Sequence, residues 1–339
     1  MAAIKDVAKL AGVSVGTVSR YLNHPEKLTP QYRERVAKAV AELNYQPSHI
    51  AKMMRTKKTR LIALVVPEIT NPFYVTLYDA VHSMCEKLQY SPVIFMMETG
   101  MQALHFILDG HPANVDGLIL GFMDDDEVHS ILDKLPPEAP VVLMSANPQN
   151  KSLNTVVSDL FHGSYDAAEH LVSLGHRKIA YVLSLDLEAN TIEKTSGVRK
   201  CFAKHHIELP EEYIFSGPSR YSAGYNAASR FLRLDDPPTA IIAENDILAI
   251  GCIKYLNDHN YRVPQDVAVI GYDDIQESSV YSPSVTTVRQ PIEDMGKLAV
   301  KMLINKIEHP NSQNRQAVFK SKLVVRQSTD ANAPVILDL

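Results

Sequence analysis

The chain has 339 residues, 45% of them hydrophobic, and a net charge of −5. That length predicts two or three domains with real cores, and the absence of any run of about 18 apolar residues argues against a membrane span. Cys85, Cys201 and Cys252 are far apart and odd in number, which argues against a disulfide framework or a cysteine-rich zinc site and suits small core residues in a reducing cytoplasm. In the opening "MAAIKDVAKL", Lys5, Asp6 and Lys9 stand where a secretory signal needs an apolar stretch. The charge is unevenly spread. Residues 1–60 hold 12 Lys and Arg against 4 Asp and Glu, or +8, which leaves 22 against 35, or −13, on the rest. A basic head on an acidic body points to a polyanion partner for the head, with a merely solvated basic surface as the alternative.

In the head, Ile4, Val7, Ala8 and Ala11 recur at helical spacing and predict a short helix over 4–11. Gly12 ends it, because glycine takes a left-handed backbone cheaply, and Val13 fills the turn. Ser14 is a natural N-cap for a second helix that turns Val18, Tyr21 and Leu22 inward. A third helix is predicted from about Pro30 to Leu43, capped by Thr29, with Val36, Val40 and Leu43 inward. Two helices about a tight turn, braced by a third, make a helix-turn-helix, whose second helix enters the DNA major groove N-terminus first. "VGTVSRYLN" is small and stiff for a helix. That fits an element brought close to base edges and phosphates. Val15 suits thymine methyls, Arg20 a guanine, and Thr17 and Ser19 phosphates, with Asn23 completing the DNA-facing set. Val15 and Gly16 have the alternative role of only permitting close approach.

After Thr59 the pattern changes. "LIALVVP", "SPVIFMM", "DGLILGF", "PVVLMS", "NTVVSD", "RKIAYVL", "TAIIAEND" and "VAVIGYDD" are strand-like runs, several separated by helical stretches such as "YVTLYDAVHSMCEKLQ", "GSYDAAEHLVSL" and "LAIGCIKYLNDH". Such alternation predicts an α/β fold of parallel sheets with ligands at the carboxyl ends of strands. No GxxxxGK(S/T), GxSxG, HExxH or GxGxxG motif is present, so an enzyme on this scaffold is disfavoured. His205 and His206 are adjacent and do not share a helix face, which favours a solvated surface over a metal site. Asp124–Asp125–Asp126 reads as a solvated loop, and His176 as turn chemistry. Asp246 is expected to cap a helix starting at Ile247.

"IKDVAKLAGVSVGTVSRYLN" resembles the N-terminal signature of the LacI/GalR family of bacterial transcription regulators, and "NYQPSHIAKMMRTKKT" resembles that family's hinge. Tyr45, Pro47 and Ala51 match the hinge pattern. Ser48 replaces Asn, Lys52 replaces Arg, and Met54 stands where the family places a wedge Leu. The resemblance implies that the hinge folds on the operator, with Ala51, Lys52 and Met54 at the DNA and Met54 either wedging the minor groove or packing between two hinges. "VVPEITNPFY", "VDGLIL", "AAEHLVSLGHRKIAYV", "PPTAIIAENDILAIG", "VPQDVAVIGYDD", "TTVRQPIEDMGKLA" and "LVVRQST" are similar to the family's effector domain.

The resemblance implies an all-α helix-turn-helix headpiece over 1–46, a hinge over 47–59 and an effector-binding and dimerisation domain over 60–330, with a tail over 331–339. That domain is expected to be periplasmic-binding-protein-like, with two doubly wound parallel-sheet lobes joined by three crossovers: an N-lobe near 60–157 with 288–316, and a C-lobe near 158–287 with 317–330. Family cleft positions fall on Phe73, Asp159, Asn190, Lys194, Asn245 and Asp273. Carboxylates and amides there suit ligand hydroxyls, and an aromatic suits a sugar face. Lys194 stands where sugar binders of the family carry Arg, and it lacks the planar fork. "METGMQALHFILDG" is shorter than the family's segment. The expectation is a cytoplasmic homodimeric repressor of a pseudo-palindromic operator, without cofactor, metal or membrane partner. Its effector is expected to be a small polar molecule such as a sugar or sugar derivative. Control by a protein co-regulator, and a sugar-binding protein without a DNA role, are the alternatives.

Overall fold

A computed structural model of the chain describes residues 2–45, 58–97, 108–109, 114–145, 153–185 and 188–334. The chain divides between Thr59 and Arg60 into two compact units. The first unit holds α1 (Ile4–Ala11), α2 (Val15–Asn23) and α3 (Pro30–Glu42). Val7, Ala8, Ala11, Val18, Val36 and Ala39 form its small core, and Tyr21, Leu22 and Tyr45 pack against it. Asp6 accepts from the Ala3 N–H at 2.8 Å and closes the first turn of α1. Gly12 ends α1 at φ 63°, with its N–H donating to Ala8 and Lys9 carbonyls, and the Arg35 guanidinium donates to its carbonyl at 3.2 Å. Ser14 caps α2, accepting from the Thr17 N–H at 3.1 Å. Thr29 occupies the N-cap position of α3, but its hydroxyl makes no cap bond; Pro30, which has no N–H to satisfy, opens that helix without one.

The second unit is built on two parallel sheets. β1 (Leu61–Val66), β2 (Ser91–Met96), β3 (Gly117–Gly121), β4 (Val141–Ser145), β5 (Asn154–Asp159) and β11 (Gln316–Lys320) make the first, in the order β11-β5-β4-β3-β1-β2. β6 (Ile179–Ser184), β7 (Ile214–Gly217), β8 (Ala240–Ala243) and β9 (Ala268–Ile270) make the second, in the order β7-β6-β8-β9. β10 (Thr287–Arg289) and β12 (Lys322–Val324) form an antiparallel pair. The period-2 geometry of β1 sends its residues to two cores. Ile62, Leu64 and Val66 join Leu77, Met295 and Leu303 on one face. Ala63 and Val65 join Leu118, Leu120 and Ile131 on the other. Those faces are covered by α4 (Pro72–Lys87) and α11 (Ile292–Glu308) on one side and α5 (Asp125–Leu132) on the other.

The strands run slightly past the lobe limits expected from sequence. β5 stays in the first sheet to Asp159 and β11 to Lys320, so the chain changes lobe at 159–160, between 289 and 292, and between 320 and 322. β7, β10, β11 and β12 carry no strong apolar run. β11 lies at the sheet edge with alternating exposure, which is why hydrophobicity does not reveal it. The Asp124–Asp126 run is not a loop: Asp124 caps α5 and Glu127 accepts from its N–H at 3.2 Å, an acidic helix start that complements the helix dipole. All three cysteines are buried and unpaired. Among the described residues no helix is long and apolar enough to cross a membrane.

Two further helices, α8 (Tyr221–Phe231) and α9 (Asp246–Asp258), approach so closely that backbone meets backbone. A Cβ added at Gly224 would lie 2.0 Å from the Leu248 carbonyl oxygen, and one at Gly251 would lie 2.1 Å from that of Tyr221. The two glycines face each other's helix, so neither can gain a methyl unless the helices part. Gly224→Ala is expected to lower the stability of the second unit by about 1–3 kcal/mol, the usual cost of overpacking; chemical denaturation of the variant beside the parent measures it.

Candidate functional site

The exposed edge of α2 begins with Val15, which is 40% exposed although apolar. Gly16 and Arg20 are exposed beside it, with Thr17 and Ser19 half-buried. The Thr17 hydroxyl already pairs with Ser14 Oγ at 3.0 Å, so it supports the cap as well as facing outward. The Arg20 guanidinium has no hydrogen-bond or ion-pair partner among the described residues and stays available to an outside acceptor. Gly16 is not required by the fold. An added Cβ would meet only Ser14 Oγ, at an ordinary 3.6 Å, and the residue sits in plain helical backbone. A glycine that intramolecular packing does not demand, at the exposed start of a helix, points to close approach from outside. The Asn23 side chain, and Ala51, Lys52 and Met54, lie outside the described residues.

Between the two sheets of the second unit lies a cleft of about 650 Å³. Five of the six sequence-predicted positions line it: Phe73, Asn190, Lys194, Asn245 and Asp273. Asp159 does not. Its carboxylate caps α6 (Leu160–Ser173), accepting from the His162 N–H at 3.1 Å, and lies 2.8 Å from His162 Nδ1. Sequence reasoning missed Glu244, Gln290 and Arg220, which also line the cleft. Glu244 had a signal, being a carboxylate at a strand end beside Asn245. Arg220 follows β7, the strand that hydrophobicity does not show.

On the N-lobe wall, Asn71 caps α4 by accepting from the Phe73 N–H at 3.0 Å. The Phe73 ring stands edge-on to Tyr74 and Phe122, with centroids 5.3 and 5.1 Å away. On the C-lobe wall, α7 (Glu188–Lys204) presents Asn190 and Lys194. Lys194 is buried. Its ammonium donates to the Glu244 carbonyl at 2.8 Å, lies 4.0 Å from Asp273 Oδ1 and sits 4.1 Å from the Tyr272 ring centroid. Asn245, not Asp246, caps α9: its Oδ1 accepts from the Leu248 N–H at 2.9 Å, while its Nδ2 donates to Ser219 Oγ at 2.7 Å. Both ends of the Asn245 amide are therefore engaged before any ligand arrives.

Asp246 has a different task. Its carboxyl is buried and accepts from Thr287 Oγ1 at 2.6 Å and from the Ile275 N–H at 2.9 Å, which fixes the loop carrying Asp273. In that loop Asp273 is held at φ 103°, a conformation rare for a residue with a side chain and often found at functional sites. Gln290 donates through Nε2 to Asp273 Oδ1 at 2.8 Å. The other end of that amide, Oε1, is buried with no partner among the described residues. An orphaned acceptor in a cleft is satisfied by a ligand N–H or O–H. Burial pushes the Asp273 and Glu244 carboxyls above their usual range, against the pull of the Lys194 ammonium. Burial, reinforced by the charge of Asp273, pushes Asp246 up to about 8. The arrangement can bind and orient polar groups; among the described residues that line the cleft there is no cysteine or histidine to serve as nucleophile or general base.

The family model described as "Bacterial regulatory proteins, lacI family" matches residues 3–48, and that of the "Periplasmic binding protein-like domain" matches 168–329. The HTH-type transcriptional repressor PurR of Mannheimia succiniciproducens is 31% identical over 329 residues, covering 97% of this chain and 98% of that protein. The solved lac repressor dimer, bound to operator and the anti-inducer ONPF, is 27% identical with a TM-score of 0.85, covering 97% of this chain and 99% of that one. A transcriptional regulator CelR–cellobiose complex is 28% identical with a TM-score of 0.71, covering 97% of this chain and 100% of that one.

Two outcomes follow from the geometry. Gly16→Ala is expected to stabilise α2 by up to about 1 kcal/mol through helix propensity while weakening binding to duplex DNA; thermal unfolding and a gel-shift titration on the same sample read the two effects. The second concerns Asp246. The unfolded chain loses this proton near 3.8 and the folded chain near 8. Between those values the folded state keeps a proton that the unfolded state has shed, so this group's contribution to stability is full below about 4 and declines as pH rises towards 8. Asp246→Asn is expected to flatten that decline, as measured by denaturation free energy across the interval.

Proposed function

The chain belongs to the lacI family of bacterial regulatory proteins, and from that membership we propose that it is a cytoplasmic homodimeric repressor of a pseudo-palindromic operator, controlled by a small polar effector in the inter-lobe cleft. That it is a DNA-binding transcriptional repressor rather than an enzyme is common to its relatives. In the proposed complex α2 enters the major groove, Arg20 forks onto a guanine and Val15 meets a thymine methyl. Lys52 neutralises phosphate, and Met54 is the apolar wedge of the minor groove. Two half-sites call for two headpieces, and a symmetric dimer supplies them. An apolar hollow between α8 and α9, lined by Tyr221, Tyr225, Ile250 and Tyr281, supports a second copy of the chain as its cover.

The effector reading rests on one observation above the others: the buried Gln290 Oε1 with no partner among the described residues, beside Asp273 in the cleft that Asn190 also lines. Asp273 and Gln290 accept from ligand hydroxyls, and Phe73 covers an apolar face. A sugar or sugar derivative has both features. Such a ligand acts on DNA only through different affinities for two lobe arrangements, typically a coupling of about 1–3 kcal/mol.

The test has two arms on the full chain. Arg20→Ala is expected to cost about 1–3 kcal/mol of operator affinity and to relax preference at one base pair per half-site. In the second arm, sugars, sugar phosphates, uronates and nucleosides are screened by thermal shift. A compound that raises the melting temperature is expected to change operator affinity, and Asp273→Asn is expected to abolish that change while leaving unliganded DNA binding intact. An effector response undiminished in Asp273→Asn would place the ligand elsewhere, and silence across the whole screen would favour a protein co-regulator.

A further inference from the structure

Helices α6 and α7 pack closely along the C-lobe, where a Cβ at Gly197 would stand only 2.2 Å from the Phe161 carbonyl oxygen. At the far end of that contact, away from the cleft-lining Asn190 and Lys194, three side chains with different donor atoms converge. Cys201 lies in the last turns of α7. His205 follows one turn later and still donates its N–H to the Cys201 carbonyl at 3.2 Å. Glu169 reaches across from α6. Its Oε2 accepts from Cys201 Sγ at 3.4 Å, and His205 Nε2 is 3.0 and 2.9 Å from its two oxygens. One ligand atom from each residue lies within 4.8 Å of the others. Cys201 and His205 share a side of the turn because they are four residues apart; His206 is exposed and takes no part. Reading His205 and His206 as a pair hides this, since the imidazole of His205 meets Glu169 across the helix pair, on the side that Cys201 also faces.

We propose that Glu169, Cys201 and His205 form a zinc(II) site that ties the end of α7 to α6, with water as the fourth ligand. Sulfur, imidazole nitrogen and carboxylate oxygen are the donor types that zinc accepts, at bond lengths of about 2.0–2.3 Å. In a tetrahedron of that size the donors stand roughly 3.3–3.6 Å apart; the sulfur and the imidazole nitrogen already stand 3.4 and 2.9 Å from Glu169 Oε2, and all three donors lie within 4.8 Å of one another. Access is open: the His205 side chain is 26% exposed and that of Glu169 34%. Glu169 is already oriented towards the site, since its carboxylate accepts from Cys201 Sγ and Lys204 Nζ and faces His205 Nε2. On binding, the Cys201 thiol gives its proton to solvent and its sulfur bonds the metal. His205 binds through Nε2 as the Nδ1–H tautomer. One proton leaves per zinc, and nothing is oxidised or reduced.

A competing cation stands beside the site. Lys204 Nζ is 3.3 and 3.4 Å from the Glu169 oxygens and 2.9 Å from Tyr165 Oη, where it donates to both residues. Its side chain is 56% exposed and can swing into water when a divalent ion takes over the carboxylate. This gives the site a signature that a purely structural hydrogen-bond cluster lacks, since removing the ammonium strengthens metal binding.

The experiment titrates the reduced, chelator-treated full chain with cobalt(II) chloride and follows cobalt–thiolate charge-transfer absorption in the near ultraviolet. The band is expected to saturate at one equivalent and to disappear on addition of zinc(II) chloride. Cys201→Ala is expected to lose the band. His205→Ala, at a partly exposed position that need not disturb the core, is expected to weaken cobalt binding at least about tenfold and keeps the test intact should Cys201→Ala fail to fold. Lys204→Met is expected to tighten binding several-fold. Absence of a thiolate band in the parent chain overturns the proposal, as does a band of undiminished affinity in His205→Ala. Weaker binding in Lys204→Met does so too.

Discussion

The cleft depends on the buried carboxyl of Asp246. It joins the start of α9 to the Ile275 N–H and to Thr287 on β10, and so holds three segments of distant sequence in register. Each of those segments carries or adjoins a cleft residue: Asn245 before α9, Asp273 in the loop, and Gln290 after β10. A buried carboxyl is costly to ionise, and this one is furnished with donors that offset the cost only in this arrangement. Asp274 adds a second brace, pairing with Arg326 Nη1 at 2.7 Å and with Arg289. The positive φ at Asp273 is thus imposed by neighbours on both sides of the loop. A side chain held by this many fixed partners presents its oxygens in one geometry, which is the precondition for reading a ligand's hydroxyls.

The same economy explains Lys194. Its ammonium has a carbonyl, a carboxylate and an aromatic face around it before any ligand is present. Burying a lone charge is prohibitive, so the chain neutralises it internally. A point charge compensated in this way orders the wall of the cleft more than it advertises a charge to the ligand. Arg220 differs, since it lies on the exposed lip of the same wall and its guanidinium has no partner among the described residues.

Much of this was legible in the sequence, and for identifiable reasons. The headpiece helices announce themselves through Gly12, Ser14 and Pro30, each of which punctuates the backbone locally. The central strands announce themselves because burial on both faces demands unbroken aliphatic runs such as "LIALVV". Edge strands escape notice: β11 alternates in exposure and β7 is short, and both are fixed by pairing rather than by composition. Thr29 and Asp246 show the limit of cap chemistry read from residue type alone. At Thr29 the position is right and the bond is absent, while at Asp246 the neighbouring Asn245 takes the cap and frees the carboxyl for tertiary work. Asp159 shows the reverse, where a strand-end carboxylate that could have faced the cleft is spent on the helix it begins. Cys201 and Glu169 were beyond reach, because nothing along the chain says which face of α6 meets the end of α7.

The three places where the chain changes lobe, after Asp159, around Gln290 and between Lys320 and Lys322, have a mechanical consequence. A single strap between two bodies leaves them free to twist and slide as well as to bend. Three straps side by side resist twisting and sliding by tension in the outer two, and leave rotation about the line through them as the compliant motion. A rotation about that line would widen or narrow the cleft while keeping its walls in registration. The chain's long detours through two sheets thereby reduce a six-dimensional problem of relative placement to something close to a single angle.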